Sequence, residues 1–207
     1  MLALFLSAFV TFFVVIDPPG CAPIFAGLTS GTDTPHRTAM AIRSTLVAAA
    51  ILFAFALLGE PLLRTLGISL DAFRIAGGIM LFLIALEMVF EKRTERRENR
   101  ANEVASHPEV YDDISIFPMA MPMIAGPGSI ASAMLMMQRS HGLAAHAVVL
   151  AALAANLAIM MASLLAAGPL MRILGFKVEA VITRLLGVLL AALAAQFVID
   201  GLKASFA

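Results

Sequence analysis

The chain has 207 residues, of which 61% are hydrophobic and only 14% charged, and its mean hydropathy is +0.95. A water-soluble domain carries roughly half apolar and about a quarter charged residues, so the composition excludes one and indicates a protein dissolved in a lipid bilayer. A formal net charge of zero argues against a nucleic-acid surface, and a single cysteine, Cys21, excludes a disulfide framework or a cysteine-based metal site.

Crossing a hydrocarbon core of about 30 Å takes about 20 helical residues. That length divides the chain into six predicted spans at 2–28, 39–58, 68–90, 114–137, 143–168 and 178–200. The first has no Lys or Arg ahead of its apolar run and no small-residue cleavage site, so it reads as a retained span. Its uninterrupted part, 2–16, reaches only about 22 Å at 1.5 Å per residue, and Asp17-Pro18-Pro19-Gly20 cannot continue a regular helix. A carboxylate at that depth is a functional candidate, although Asp before Pro is also an ordinary helix cap.

Between the third and fourth spans, 91–113 carries Lys92, Arg93, Arg96, Arg97 and Arg100 interleaved with seven acidic residues, and reads as a solvated cytoplasmic linker. The fourth span is loosened by Pro118, Pro122 and Gly126-Pro127-Gly128 before a fresh start at Ser129. The fifth is a plain span with Asn156 and Ser163 inside it, and Arg172 and Lys177 fall in the expected loop before the sixth. Asn156 and Gln196 read as interhelical glue, and the Ala151/Ala155 and Ala191/Ala195 pairs as packing stripes. Thirteen methionines and four histidines show no metal-ligand pattern.

PLLRTLG at 61–67 and PLMRILG at 169–175 match at five of seven positions, and the offset of 108 also lays Pro19-Gly20 onto Pro127-Gly128. The chain therefore reads as an internal duplication: a first repeat at 1–90, the linker at 91–113, and a second repeat at 114–207. Three spans per repeat put the second copy in the opposite orientation, as in many secondary transporters, where paired interrupted helices mark the binding site. The Lys and Arg balance, with Arg37, Arg43 and the linker on one side against Arg64, Arg139 and Lys203 on the other, predicts both termini outside the cytoplasm.

Restarted helices offer free N–H groups to an anion. The expected substrate site is accordingly Asp17, Pro18, Pro19, Gly20 and Cys21 with Gly126, Pro127, Gly128 and Ser129, holding a small zwitterion, with a proton as a candidate coupling ion. Arg74, Arg184 and Asn156 are candidate gate or coupling residues, Arg74 and Arg184 reading first as interfacial. No metal or cofactor is expected. The absence of a GxxxxGK[ST] loop argues against ATP-driven transport by this chain alone. An intramembrane enzyme, with Asp17 as its acid, and a non-transporting scaffold are the alternatives.

IDPPGCAPIF at 16–25, AGPG at 125–128, SLDAFRIAGGIMLFLIALEMVF at 69–90 and ITRLLGVLLAALAAQFVIDG at 182–201 resemble the MarC family of bacterial inner-membrane proteins along nearly the whole chain. The resemblance implies six transmembrane helices, distant kinship with LysE-type exporters, and, from one branch of the family, transport of small neutral amino acids such as alanine and glycine.

Overall fold

A computed structural model describes residues 1–105 and 113–206, and the side chains among them except at 94, 100–105, 170–177 and 179. The described chain is all helical. Helices α1 (Leu2–Ile16), α2 (Pro18–Leu28), α3 (Thr34–Thr65), α4 (Leu70–Val89) and α5 (Lys92–Ala105) precede an irregular helical segment at Ser115–Ile124. After it come α6 (Pro127–Arg139), α7 (Leu143–Leu165) and α8 (Ala167–Ser205). Apolar sequence in lipid must satisfy its own backbone, which a helix does within one segment. Five spans are long and apolar enough to cross a bilayer, with α1 and α2 counted together, and the Ser115–Ile124 segment with α6 makes a sixth, bent by 52°.

The first interruption turns on one residue. Asp17 adopts a left-handed conformation with φ of 59°, which aspartate tolerates better than most residues. The next helix then opens on Pro18 and Pro19, which need no hydrogen-bond acceptor for an N–H they lack. The second interruption is drawn out over ten residues. Phe117 and Met121, each before a proline, are extended, as proline imposes on its predecessor. Wide turns from the Met119 N–H to Ile114 C=O (3.2 Å) and from the Ala125 N–H to Ala120 C=O (2.8 Å) hold the segment together.

Contacts between helix ends fix which ends lie together. α4 and α8 run antiparallel, with Gly78 against Ala194 and Val198, Gly187 against Ala85 and Met88, and Gly201 against Asp71 and Ile75. A Cβ at Gly78 would meet the Ala194 carbonyl oxygen at 2.9 Å, so these glycines allow the two backbones to approach closely. Arg43 pairs with Asp113 and Arg37 abuts Gly168 at the linker end, while Arg139 pairs with Asp200 at the other. α1 points its C-terminal end, at Val15, towards Gly128. The described termini therefore share the end of the bundle opposite the linker.

Three expectations need correction. The loop expected around 169–177 is instead part of α8, which starts at Ala167; Pro169 lies in its first turn, where the missing N–H costs no hydrogen bond. The proposed alanine stripes are only half on the packed face: Ala191 packs against the core and Ala155 is half-buried. Ala151 and Ala195 are exposed, whereas Ala152 and Ala194 are fully buried, because the inward faces are set by the helices' actual rotation. The linker, finally, is not merely solvated: α5 turns Arg97 inward, and only 10% of that side chain is exposed.

Candidate functional site

The linker end of the bundle holds an open-mouthed cavity of about 350 Å³ lined by Val15, Ile84 and Glu87, by Arg93, Arg96 and Arg97 of α5, by Pro122 and Met123, and by Gly126 to Ser129. Its floor is the start of α6. Gly126 occupies the cap position there and no side chain caps the helix. Pro127 has no N–H, and the helix is joined to its cap by the bond from the Ile130 N–H to Gly126 C=O at 3.0 Å. The Gly128 and Ser129 N–H groups belong to the first turn, which has no partner within its own helix, and both residues face the cavity.

Three guanidiniums stand over this end. Arg97 donates to Asp17 Oδ2 at 2.8 Å and to the Met123 carbonyl at 3.4 Å. Arg96 pairs with Glu87. Arg93 donates to the Val15 carbonyl at 2.7 Å and contacts Met88 Sδ at 3.0 Å, and it makes no ion pair among the described residues. Burial, with the Arg97 charge second, holds the Arg93 guanidinium below its ordinary value, at about 10. It is therefore still protonated at neutral pH, as a charge that neither of its two protein contacts neutralises.

The α2 start is different chemistry. Pro18 and Pro19 have no donors, Gly20 N–H is taken by Asp17 Oδ1 at 3.2 Å, and Cys21 N–H by the Asp17 carbonyl at 3.1 Å. Asp17 is 1% exposed and Gly20 and Cys21 are buried. None of Asp17, Pro18, Pro19, Gly20 and Cys21 lines the cavity; Asp17 lies behind Arg97. The expectation of two free helix ends is thus corrected to one, because the cap and the prolines use up the α2 donors.

The glycines also act otherwise than expected. A Cβ at Gly128 would lie 2.4 Å from Ile84 Cδ1, and one at Gly20 would lie 2.3 Å from Asp17 Oδ2 and 3.0 Å from Arg97 Nη1. Both make room for neighbouring protein atoms. Among the remaining candidates, Asn156 donates to the Phe9 carbonyl at 3.1 Å, joining α7 to α1. Arg74 pairs with Asp71 at 3.3 Å and Arg184 with Glu91, at opposite ends of the α4 and α8 pair. None of the three lines the cavity. Among the described residues no cluster of His, Cys, Asp or Glu could hold a metal ion.

Sequence reasoning missed the α5 arginines and Glu87. Their signal was present: 93, 97 and 100 recur at helical spacing, with 96 beside them, so the basic residues of the linker fall on one face of a helix. Arg100 lies outside the described side chains.

The fold and the cavity define a multi-pass integral membrane protein with a candidate site at one end. The chain matches the family model described as "MarC family integral membrane protein" over residues 2–206, and it belongs to that family. It is 36% identical to a UPF0056 membrane protein of Methanocaldococcus jannaschii over 96% of both chains. With the UPF0056 membrane protein YhcE of Escherichia coli it shares 34% identity over 96% of this chain and 91% of the relative. With YvbG of Bacillus subtilis it shares 32% over 100% and 97%. No solved structure matches it.

Proposed function

We propose that the protein is a secondary transporter of the bacterial inner membrane that carries small neutral amino acids or similar small metabolites. The observation that carries this reading is the cavity lined by an uncapped helix start, by Arg93 and by Glu87, a carboxylate that a solute's ammonium would share with Arg96. A zwitterion has a carboxylate for the first two and an ammonium for the third. A volume of about 350 Å³ suits a small solute.

The repeated heptapeptide supports the same reading. The chain breaks at Asp17 before α2 and at Ala125 before the cap of α6, positions related by the offset of the repeated heptapeptide. On this reading the two three-span units have opposite orientation, and the site opens alternately to either end as one unit rocks against the other. The basic linker lies in the cytoplasm and both termini outside. Reporter fusions at residues 100 and 205 should accordingly report opposite compartments.

Purified protein in liposomes tests the function. Uptake of labelled alanine or glycine above that of empty vesicles is expected, with methylamine and ethylamine, which lack the carboxylate, competing poorly. If amines compete as well as amino acids do, the carboxylate subsite is wrong; if no member of an amino acid panel is taken up, the substrate class is wrong. Faster uptake under an imposed pH gradient identifies the proton as coupling ion.

A further inference from the structure

At the far end of the bundle a second cavity, of about 420 Å³, lies between α3, α6 and α7. It shares no lining residue with the first. Ser129 and Gln138 mark the two cavities on α6, and nine residues at 1.5 Å each set them about 14 Å apart along that helix. The far cavity is lined by Gln138 and His146, by the ion pair of Glu60 and Arg64 (2.7 Å), and by the thioethers of Met134 and Met137.

Gln138 is the informative residue. It is only 9% exposed, yet neither Oε1 nor Nε2 of its amide has a hydrogen-bond partner in the protein. An amide left unpaired in the interior costs roughly 1–3 kcal/mol, and each such group in a folded protein calls for a partner of some kind. His146 is already engaged, its Nε2 lying 3.0 Å from the Ser140 carbonyl. If Nε2 donates there, Nδ1 is left as an acceptor.

We propose that this far cavity is a second binding site, for a small solute presenting hydrogen-bond donor and acceptor groups close together, as an α-amino acid does. The Gln138 amide meets both groups, Arg64 and Glu60 offer the matching charges at the mouth, and the two methionines line the space for a short apolar side chain. The choice of an amino acid as ligand rests on the transport reading above. It gives the solute a resting place on each end of α6.

The chain contains two glutamines, Gln138 and Gln196. Selective ¹⁵N-glutamine labelling therefore yields two side-chain amide signals, assigned by Gln138→Leu. In full-length protein in detergent, titration with alanine should move the Gln138 signal along a saturable curve while the Gln196 signal stays in place. The movement should persist in Arg93→Leu, which adds no third glutamine and in which the near site is weakened. A Gln138 signal that does not move, or whose movement vanishes in Arg93→Leu, overturns the second site. Flux without movement of Gln138 leaves transport standing and removes this site; saturable movement without flux keeps the site and removes transport.

Discussion

The two helix starts beneath the linker helix, at Pro18 and at Pro127, are alike in sequence and opposite in chemistry. The repeat offset sets Asp17 against Ala125. Asp17 caps its own helix and holds Arg97, so the first start is closed by protein groups. Ala125 has no side chain that could do either, and the second start remains uncapped in a cavity with Arg93 beside it. One carboxylate separates a closed joint from a helix start with donors to spare, and the difference teaches that a broken helix can receive a ligand only where its donors are left over.

The strongest way to break this contrast is to unpair the closed start. Arg97→Met leaves Asp17 buried without its partner and should destabilise the protein by about 3–5 kcal/mol. Asp17→Asn keeps the cap, since Asn caps helices about as well as Asp, and the double variant should recover part of the loss. Thermal unfolding of the four proteins in detergent measures it; additive losses would mean that the two residues do not act as a pair.

Next in size is the packing of the open start. Gly128→Ala drives a methyl into Ile84 Cδ1 and should cost about 1–3 kcal/mol. Ile84→Val removes that carbon and should restore stability in the double variant. Gly20→Ala meets the Asp17 and Arg97 groups instead, so no trimming of an aliphatic neighbour should rescue it.

A third change would convert one start into the other. Ala125→Asp puts a carboxylate at the register position of Asp17, where it should compete with solute for the α6 donors and Arg93, and should weaken alanine binding about ten-fold, or about 1.4 kcal/mol. Arg93→Gln should weaken it by a similar factor while leaving the closed start intact. Equilibrium binding with labelled alanine checks both, and unchanged affinity in Arg93→Gln would remove Arg93 from the subsite.

The smallest effect expected is that of pH through Arg93. Its proton is retained up to about pH 10 in the folded protein, whereas an exposed arginine keeps its proton beyond about 12. Between those values the unfolded chain binds more protons, so this group favours folding increasingly as pH rises there, and contributes no slope below about 9. Arg93-dependent alanine binding should therefore be flat from pH 6 to 8.5; a step in that range that disappears in Arg93→Gln would contradict its charge assignment.

Much of the frame was legible in the sequence because lipid allows few solutions. Apolar runs become spans, and Asp17-Pro18-Pro19 and Pro118 with Pro122 must interrupt them. What was not legible depended on rotation and distance. The spacing of 93, 97 and 100 gathers these arginines on one helix face, but it does not say that this face turns inward onto the bundle. The partner of Asp17 lies 80 residues away, and the crowding of Gly128 by Ile84 exists only once three helices meet. Ala151 was named as packing when Ala152 is, a rotation of one residue that periodicity in a helix apolar on all sides cannot fix.

The linker helix has a consequence for direction. On the duplication reading, two copies of one unit set head to tail have, to a first approximation, interchangeable ends, and a solute path between them has no preferred sense. α5 belongs to neither copy and sits at one end only, bringing its arginines to a single mouth. On that reading it is the part that distinguishes front from back, and the two faces of the membrane would present the same solute with unequal affinities even though the two units are alike.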